Sequence, residues 1–131
     1  MTTIYELFCF NKNTPKKVRW STSVEGITFY LYIPRPAIPI PFPEMVKLKV
    51  IHDPDEKKYY FLQLSEYRGG GTFFFDLVFH SEHTETYRYN PESESDRLQI
   101  GDVYIPKPLL PSDAPRKITV LGVWDSSAFI I

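Results

Sequence analysis

Apolar and polar residues alternate along much of this chain with period two, or the apolar ones gather in short solid runs. No long window carries an apolar stripe at helical spacing between caps. The clearest alternation puts Val46, Leu48 and Val50 on one face of an extended segment and Lys47 and Lys49 on the other, which predicts a strand with one side in water. The same pattern predicts strands at residues 4–10 (IYELFCF), 17–20 (KVRW), 27–33 (ITFYLYI), 45–52 (MVKLKVIH), 58–64 (KYYFLQL), 72–80 (TFFFDLVFH), 85–89 (ETYRY), 98–105 (LQIGDVYI) and 117–124 (KITVLGVW). These runs are rich in β-branched and aromatic side chains, which pack well on a pleated, half-buried surface. Asp53-Pro54-Asp55-Glu56 supplies an Asx residue and a preset proline φ, so it is expected to turn one hairpin. Gly69-Gly70-Gly71 is expected to turn a second, between two aromatic strands. Residues 90–96, mixing acidic and hydroxyl side chains, read as a surface loop.

One short phrase occurs twice. Tyr32-Ile33-Pro34-Arg35-Pro36-Ala37-Ile38-Pro39 returns as Tyr104-Ile105-Pro106-Lys107-Pro108-Leu109-Leu110-Pro111. At the same offset Pro43 matches Pro115, Val46 matches Ile118, Ile51 matches Val123 and Asp53 matches Asp125. Each proline fixes its own φ and biases the residue before it away from helix. Both segments are therefore expected to leave a strand as stiff extended chain and to cross between sheets. The fold expected is all-β: a sandwich or distorted barrel of about eight or nine mostly antiparallel strands, with two related proline-rich crossovers. A single domain over residues 1–131 accommodates it, with half-repeats at about 1–64 and 72–131.

Composition supports one core: of 131 residues 43% are apolar, with ten Phe, nine Tyr and two Trp. One cysteine makes no internal disulfide and excludes zinc sites built on several thiolates, which fits a reducing compartment. Residues 1–6 carry no basic segment with a long apolar run behind it, and no stretch has the length of a membrane helix. The expectation is a soluble, cytoplasmic protein that does not enter a membrane. A net charge of −1 exerts no overall pull on nucleic acid. The charge is uneven, however: residues 1–50 carry seven Lys/Arg against three Asp/Glu, and residues 51–131 carry eight against thirteen.

Candidate chemistry narrows quickly. His52, His80 and His83, with Asp53, Glu82 and Glu85 beside them, offer imidazoles and carboxylates of the kind zinc or iron takes. They lack the helix-borne H-E-x-x-H or H-x-x-E-H spacing, so no metal or other cofactor is assigned, and a metal-dependent enzyme stands third among the functional readings. Cys9 shares the parity of Tyr5 and Leu7 and reads as a buried thiol. No G-x-S-x-G elbow lifts a serine, and Gly69–Gly71 runs into a strand where a phosphate loop needs a helix N-terminus.

Two binding readings remain. The first is a non-enzymatic interaction or structural module, self-associating as a homodimer or joined to a protein partner, through Tyr59, Phe61, Phe73 and Phe75 of the aromatic hairpin and Phe129 of the apolar tail. The second is a single-stranded nucleic-acid binder centred on Lys16, Lys17, Arg19 and Trp20. Tyr32 with Arg35 and Tyr104 with Lys107 are positions that a two-fold relation between the halves would place equivalently.

Overall fold

The computed structural model describes residues 5–11, 16–38, 43–65 and 71–124. Its strands are β1 (Tyr5–Asn11), β2 (Lys17–Val24), β3 (Ile27–Pro34), β4 (Met45–Ile51), β5 (Thr72–Glu82), β6 (Thr86–Pro91), β7 (Val103–Pro106) and β8 (Lys117–Val123), with helices α1 (Pro54–Ser65) and α2 (Glu94–Arg97). All eight strands lie in one sheet, ordered β3-β2-β1-β4-β8-β5-β6-β7, and every neighbouring pair is antiparallel. The end strands β3 and β7 come alongside each other, with Cα atoms within 8 Å, so the sheet curls into a nearly closed barrel. The order reads alike from both ends: β3-β2-β1-β4 and β7-β6-β5-β8 meet at the central β4–β8 pair.

Alternation sets what the barrel encloses. Val18, Trp20, Phe29, Leu31, Ile33, Val46, Leu48 and Val50 from the first half meet Phe75, Leu77, Tyr87, Tyr89, Val103, Ile105, Ile118 and Val120 from the second in one core. The polar handles inside are satisfied at the rim, where the Trp20 indole donates to the Pro43 carbonyl at 3.2 Å and the Tyr89 hydroxyl to the Pro115 carbonyl at 2.7 Å. The β2–β3 hairpin turns on two residues with positive φ, Glu25 (48°) and Gly26 (81°), the backbone a two-residue loop needs to match strand twist.

Over residues 32–38 and 104–110 the two copies of the repeated phrase follow the same course. Pro34 (φ −58°, ψ 139°) and Pro106 (φ −55°, ψ 132°) end their strands, and 3₁₀ turns follow at Arg35–Ala37 and Lys107–Leu109. These turns close through Ile38 N–H to the Arg35 carbonyl and Leu110 N–H to the Lys107 carbonyl, both at 3.1 Å. Each is also tied to the chain preceding the adjacent strand: Arg35 N–H donates to the Lys16 carbonyl and Lys107 N–H to the Glu85 carbonyl, both at 3.0 Å. The chain therefore coils for one turn on leaving the strand where stiff extended chain was expected, because Pro36 and Pro108 sit where a helical turn needs no donor. Residues 107–116 then join β7 to β8 within the same sheet.

Period-two reasoning fails at residues 58–64, which lie in α1. The aromatic hairpin expected of residues 58–80 is consequently replaced by a helix followed by a strand, and β5 pairs with β8 and β6. The turn residues are in fact a helix start. Asp55 N–H donates to the Asp53 side chain and Lys57 N–H to the Asp53 carbonyl, both at 2.9 Å, while Pro54 opens the helix and Asp55 and Glu56 place charge near its positive end. α1 lies over the outer face of β4, where Tyr60 and Lys49 are both buried. The run at 98–105 is also shortened, to β7, because Ser93 caps α2 by accepting from Asp96 N–H at 3.2 Å and the chain does not extend again until Val103. Among the described residues no helix is long and apolar enough to cross a membrane.

Candidate functional site

The residues nominated by sequence are dispersed around the barrel. Phe75 is a core side chain, Phe73 packs against that core beside Trp124 at a centroid distance of 5.0 Å, and Tyr59 is exposed on α1. The Phe61 side chain and Phe129 lie outside the described residues. Trp20 is fully buried, whereas Lys16 and Lys17 are exposed and Arg19 points outward from the same strand. His80 and His83 share the Ser81 hydroxyl, at 2.9 and 3.3 Å, while His52 stands at a cleft beside the start of α1. Among the described residues no group of three or more His, Cys, Asp or Glu is placed to hold a metal ion.

Some of the sequence-named residues, Lys17, Arg19, Tyr32, His83 and Tyr104, come together with others at the seam between β3 and β7. On β3, Phe29, Leu31 and Ile33 point inward, so Tyr30 and Tyr32 point outward and are each 39% exposed. Arg19 lies opposite Tyr32 in the β2–β3 ladder. Its guanidinium sits 5.0 Å from the Tyr30 centroid and donates from Nη1 to the Tyr32 hydroxyl at 3.4 Å, holding the two rings 6.0 Å apart. Across the seam, Tyr104 is 42% exposed on β7 and faces Arg88 in the β6–β7 ladder. Arg88 is fixed by Asp102 at 2.5 Å, and His83 meets the edge of the Tyr104 ring at 5.3 Å. Lys17 links the two sides, since a side chain on Gly101 would lie 3.3 Å from its ammonium nitrogen. Each edge of the barrel thus presents one tyrosine of the repeated phrase with an arginine directly opposite it. Phe8 extends the aromatic surface, because it faces Ser21, which in turn faces Tyr30.

Away from the seam, a cleft of about 310 Å³ lies between the start of α1, the end of β4 and the outer face of β5 and β8. His52, Lys57, Asp76, Glu92, Lys117 and Thr119 line it. Asp76 accepts from the Lys57 ammonium at 2.7 Å and from the Thr119 hydroxyl at 2.6 Å. Partial burial pushes its pKa up, but these two hydrogen bonds and the lysine charges outweigh that and hold it below the ordinary 3.8. Lys117 pairs with Glu92 at 3.0 Å, so the charges of the cleft are largely spent on one another.

Tyr30, Arg88, Asp102 and Phe8 are seam residues that the sequence pattern did not single out. The signal for Tyr30 is legible in ITFYLYI, where tyrosines occupy the parity that a one-sided strand leaves to polar residues. Compared with family models, curated proteins and solved structures, the chain matches none.

Proposed function

We propose that this chain is a non-enzymatic binding domain, built from two related halves and acting in the cytoplasm, that engages a macromolecular partner through the outer face of its seam. The observation that carries the reading is the repeated cross-strand pair, Arg19 with Tyr32 and Arg88 with Tyr104, on the two strands that meet there. Tyrosine and arginine lead the residue types that carry binding energy, because each offers a rigid, largely apolar plane with a polar end. The halves contribute alike: β4 (Met45–Ile51) and β8 (Lys117–Val123) stand at the 72-residue offset of the repeated phrase (117 − 45 = 123 − 51 = 72), and the mirrored strand order supports duplication of a four-strand unit.

Native mass spectrometry of the protein purified gently from its own cells tests this. The expected spectrum shows a species heavier than the bare chain, a dimer or a heterocomplex, which disappears in the Tyr32→Ala/Tyr104→Ala variant. A bare monomer in both samples contradicts the reading.

A further inference from the structure

We infer that the occupant of the seam is a single strand of nucleic acid, an inference that rests on the seam being the binding face. Bases of a single strand are read by stacking on aromatic planes while cations track the phosphates, and the seam supplies both. Tyr30 and Tyr32 form a two-ring platform with centroids 6.0 Å apart, held in place by the Arg19 guanidinium. That spacing exceeds the roughly 3.4 Å rise of a stacked duplex strand, so consecutive bases of a stretched single strand can each take a ring. Tyr104 adds a third exposed ring on β7, the strand that lies alongside β3.

Charge complementarity points the same way. Over residues 16–38 the cations are Lys16, Lys17, Arg19 and Arg35, and the one carboxylate, Glu25, lies at the β2–β3 turn. Lys17 pairs in register with Pro34, and the Arg35 amide bonds to the Lys16 carbonyl, so Lys16, Lys17 and Arg35 gather at the opposite end of the hairpin, next to Tyr32. Across the seam the charges are mostly spent in pairs, Arg88 with Asp102 and Lys107 with Glu82, so the β2–β3 side carries the positive balance although the whole chain carries −1. Among the described residues of β1, β3 and β7 the exposed large apolar side chains are aromatic, Phe8, Tyr30, Tyr32 and Tyr104, and each offers a face on which a base can stack. Duplex is disfavoured because its bases are already stacked on one another.

The test is fluorescence anisotropy with labelled twelve-residue oligo-dT, oligo-U and a duplex of equal length, titrated from low to physiological salt, with folding of each variant checked by near-UV circular dichroism. The single strands should bind more tightly than the duplex, with a log–log salt slope of about −2 to −3 for three or four phosphate contacts. Tyr32→Ala and Tyr30→Ala should each weaken binding about 5- to 100-fold, as expected for a lost stacking platform. Tyr32→Phe keeps the plane and should retain affinity, and Lys17→Gln should flatten the salt slope by about 0.7. Absent binding at low salt, affinity indifferent to salt, equal duplex affinity, or alanine variants that fold and bind like wild type would each overturn the inference. If oligonucleotides fail but a seam-dependent protein complex persists in native mass spectra, the nucleic-acid inference falls while the binding face stands. If neither is seen, both fall.

Discussion

Lys49 gives the sharpest test of the packing between α1 and the barrel. Its side chain is 0% exposed, and its ammonium sits 3.4 Å from the centroid of the Tyr60 ring. Burial pulls its pKa from 10.5 to about 8, against the opposing attraction of Glu56. Because one pKa unit corresponds to about 1.4 kcal/mol, holding the charge in the folded state at neutral pH costs about 3 kcal/mol. Between about 8 and 10.5 the unfolded chain binds the proton and the folded chain does not, so stability rises with pH across that window and the penalty is fully present below it. Lys49→Met keeps the length of the side chain and removes the charge. The attraction to Tyr60 that is lost with it is worth about 0.5–2 kcal/mol, which leaves an expected gain of about 1–2.5 kcal/mol at pH 7. Urea unfolding of both proteins at pH 7, 8.5 and 10 measures this, and the advantage of the variant should shrink as pH rises. A variant less stable than wild type at pH 7, or a difference that does not change with pH, would mean that the buried Lys49 charge carries no net penalty.

Four further outcomes follow from named contacts. Asp53→Ala removes the side-chain acceptor for Asp55 N–H and should cost about 1 kcal/mol in chemical denaturation, with helical circular dichroism reduced. Gly122→Ala would drive a methyl group into the Phe73 ring, itself packed on Trp124 and Phe75, and should lower stability by about 1–3 kcal/mol with altered tryptophan fluorescence. Tyr89 is pushed up by burial, and secondarily by Tyr87, from 10.0 to about 12, so its contribution to stability is complete below pH 10 and is lost as pH rises towards 12. Tyr89→Phe should remove that loss and strip the Pro115 carbonyl of its donor, at a cost of about 1 kcal/mol at pH 7. Asp76, held below its ordinary pKa, stabilises the fold above about pH 4 and ceases to as pH falls; Asp76→Asn should flatten the acid limb of a stability–pH curve while costing about 1 kcal/mol at neutrality.

Most strands are legible in the sequence because a barrel wall sorts side chains by parity, and segments such as Ile27–Pro34 and Met45–Ile51 show that sorting directly. Helix α1 is not legible by period, since Tyr59, Tyr60 and Phe61 carry β-propensity and the apolar residues of 54–65 do not recur at helical spacing in the sequence. What marks it is the cap, because Asp-Pro-Asp-Glu serves a tight turn and a helix N-terminus equally well. Half of the seam is legible as well. A two-residue turn at Glu25-Gly26 fixes the hairpin register so that residue 19 must face residue 32, and the parity of Trp20 with Val18 sends it inward. The other half is hidden: Arg88 reaches Tyr104 only after α2 intervenes, and its register is set by tertiary packing. That β3 and β7 meet follows from closure of the whole sheet, which no local pattern encodes.

Backbone hydrogen exchange on the complex isolated from cells, compared with the free protein, locates the face through which the barrel binds. Binding at the seam slows exchange over Phe29–Ile33 and Val103–Ile105 and leaves α1 and the Lys57–Asp76 cleft unchanged. Slowed exchange over α1 and the cleft, with the two seam strands unaffected, would contradict it.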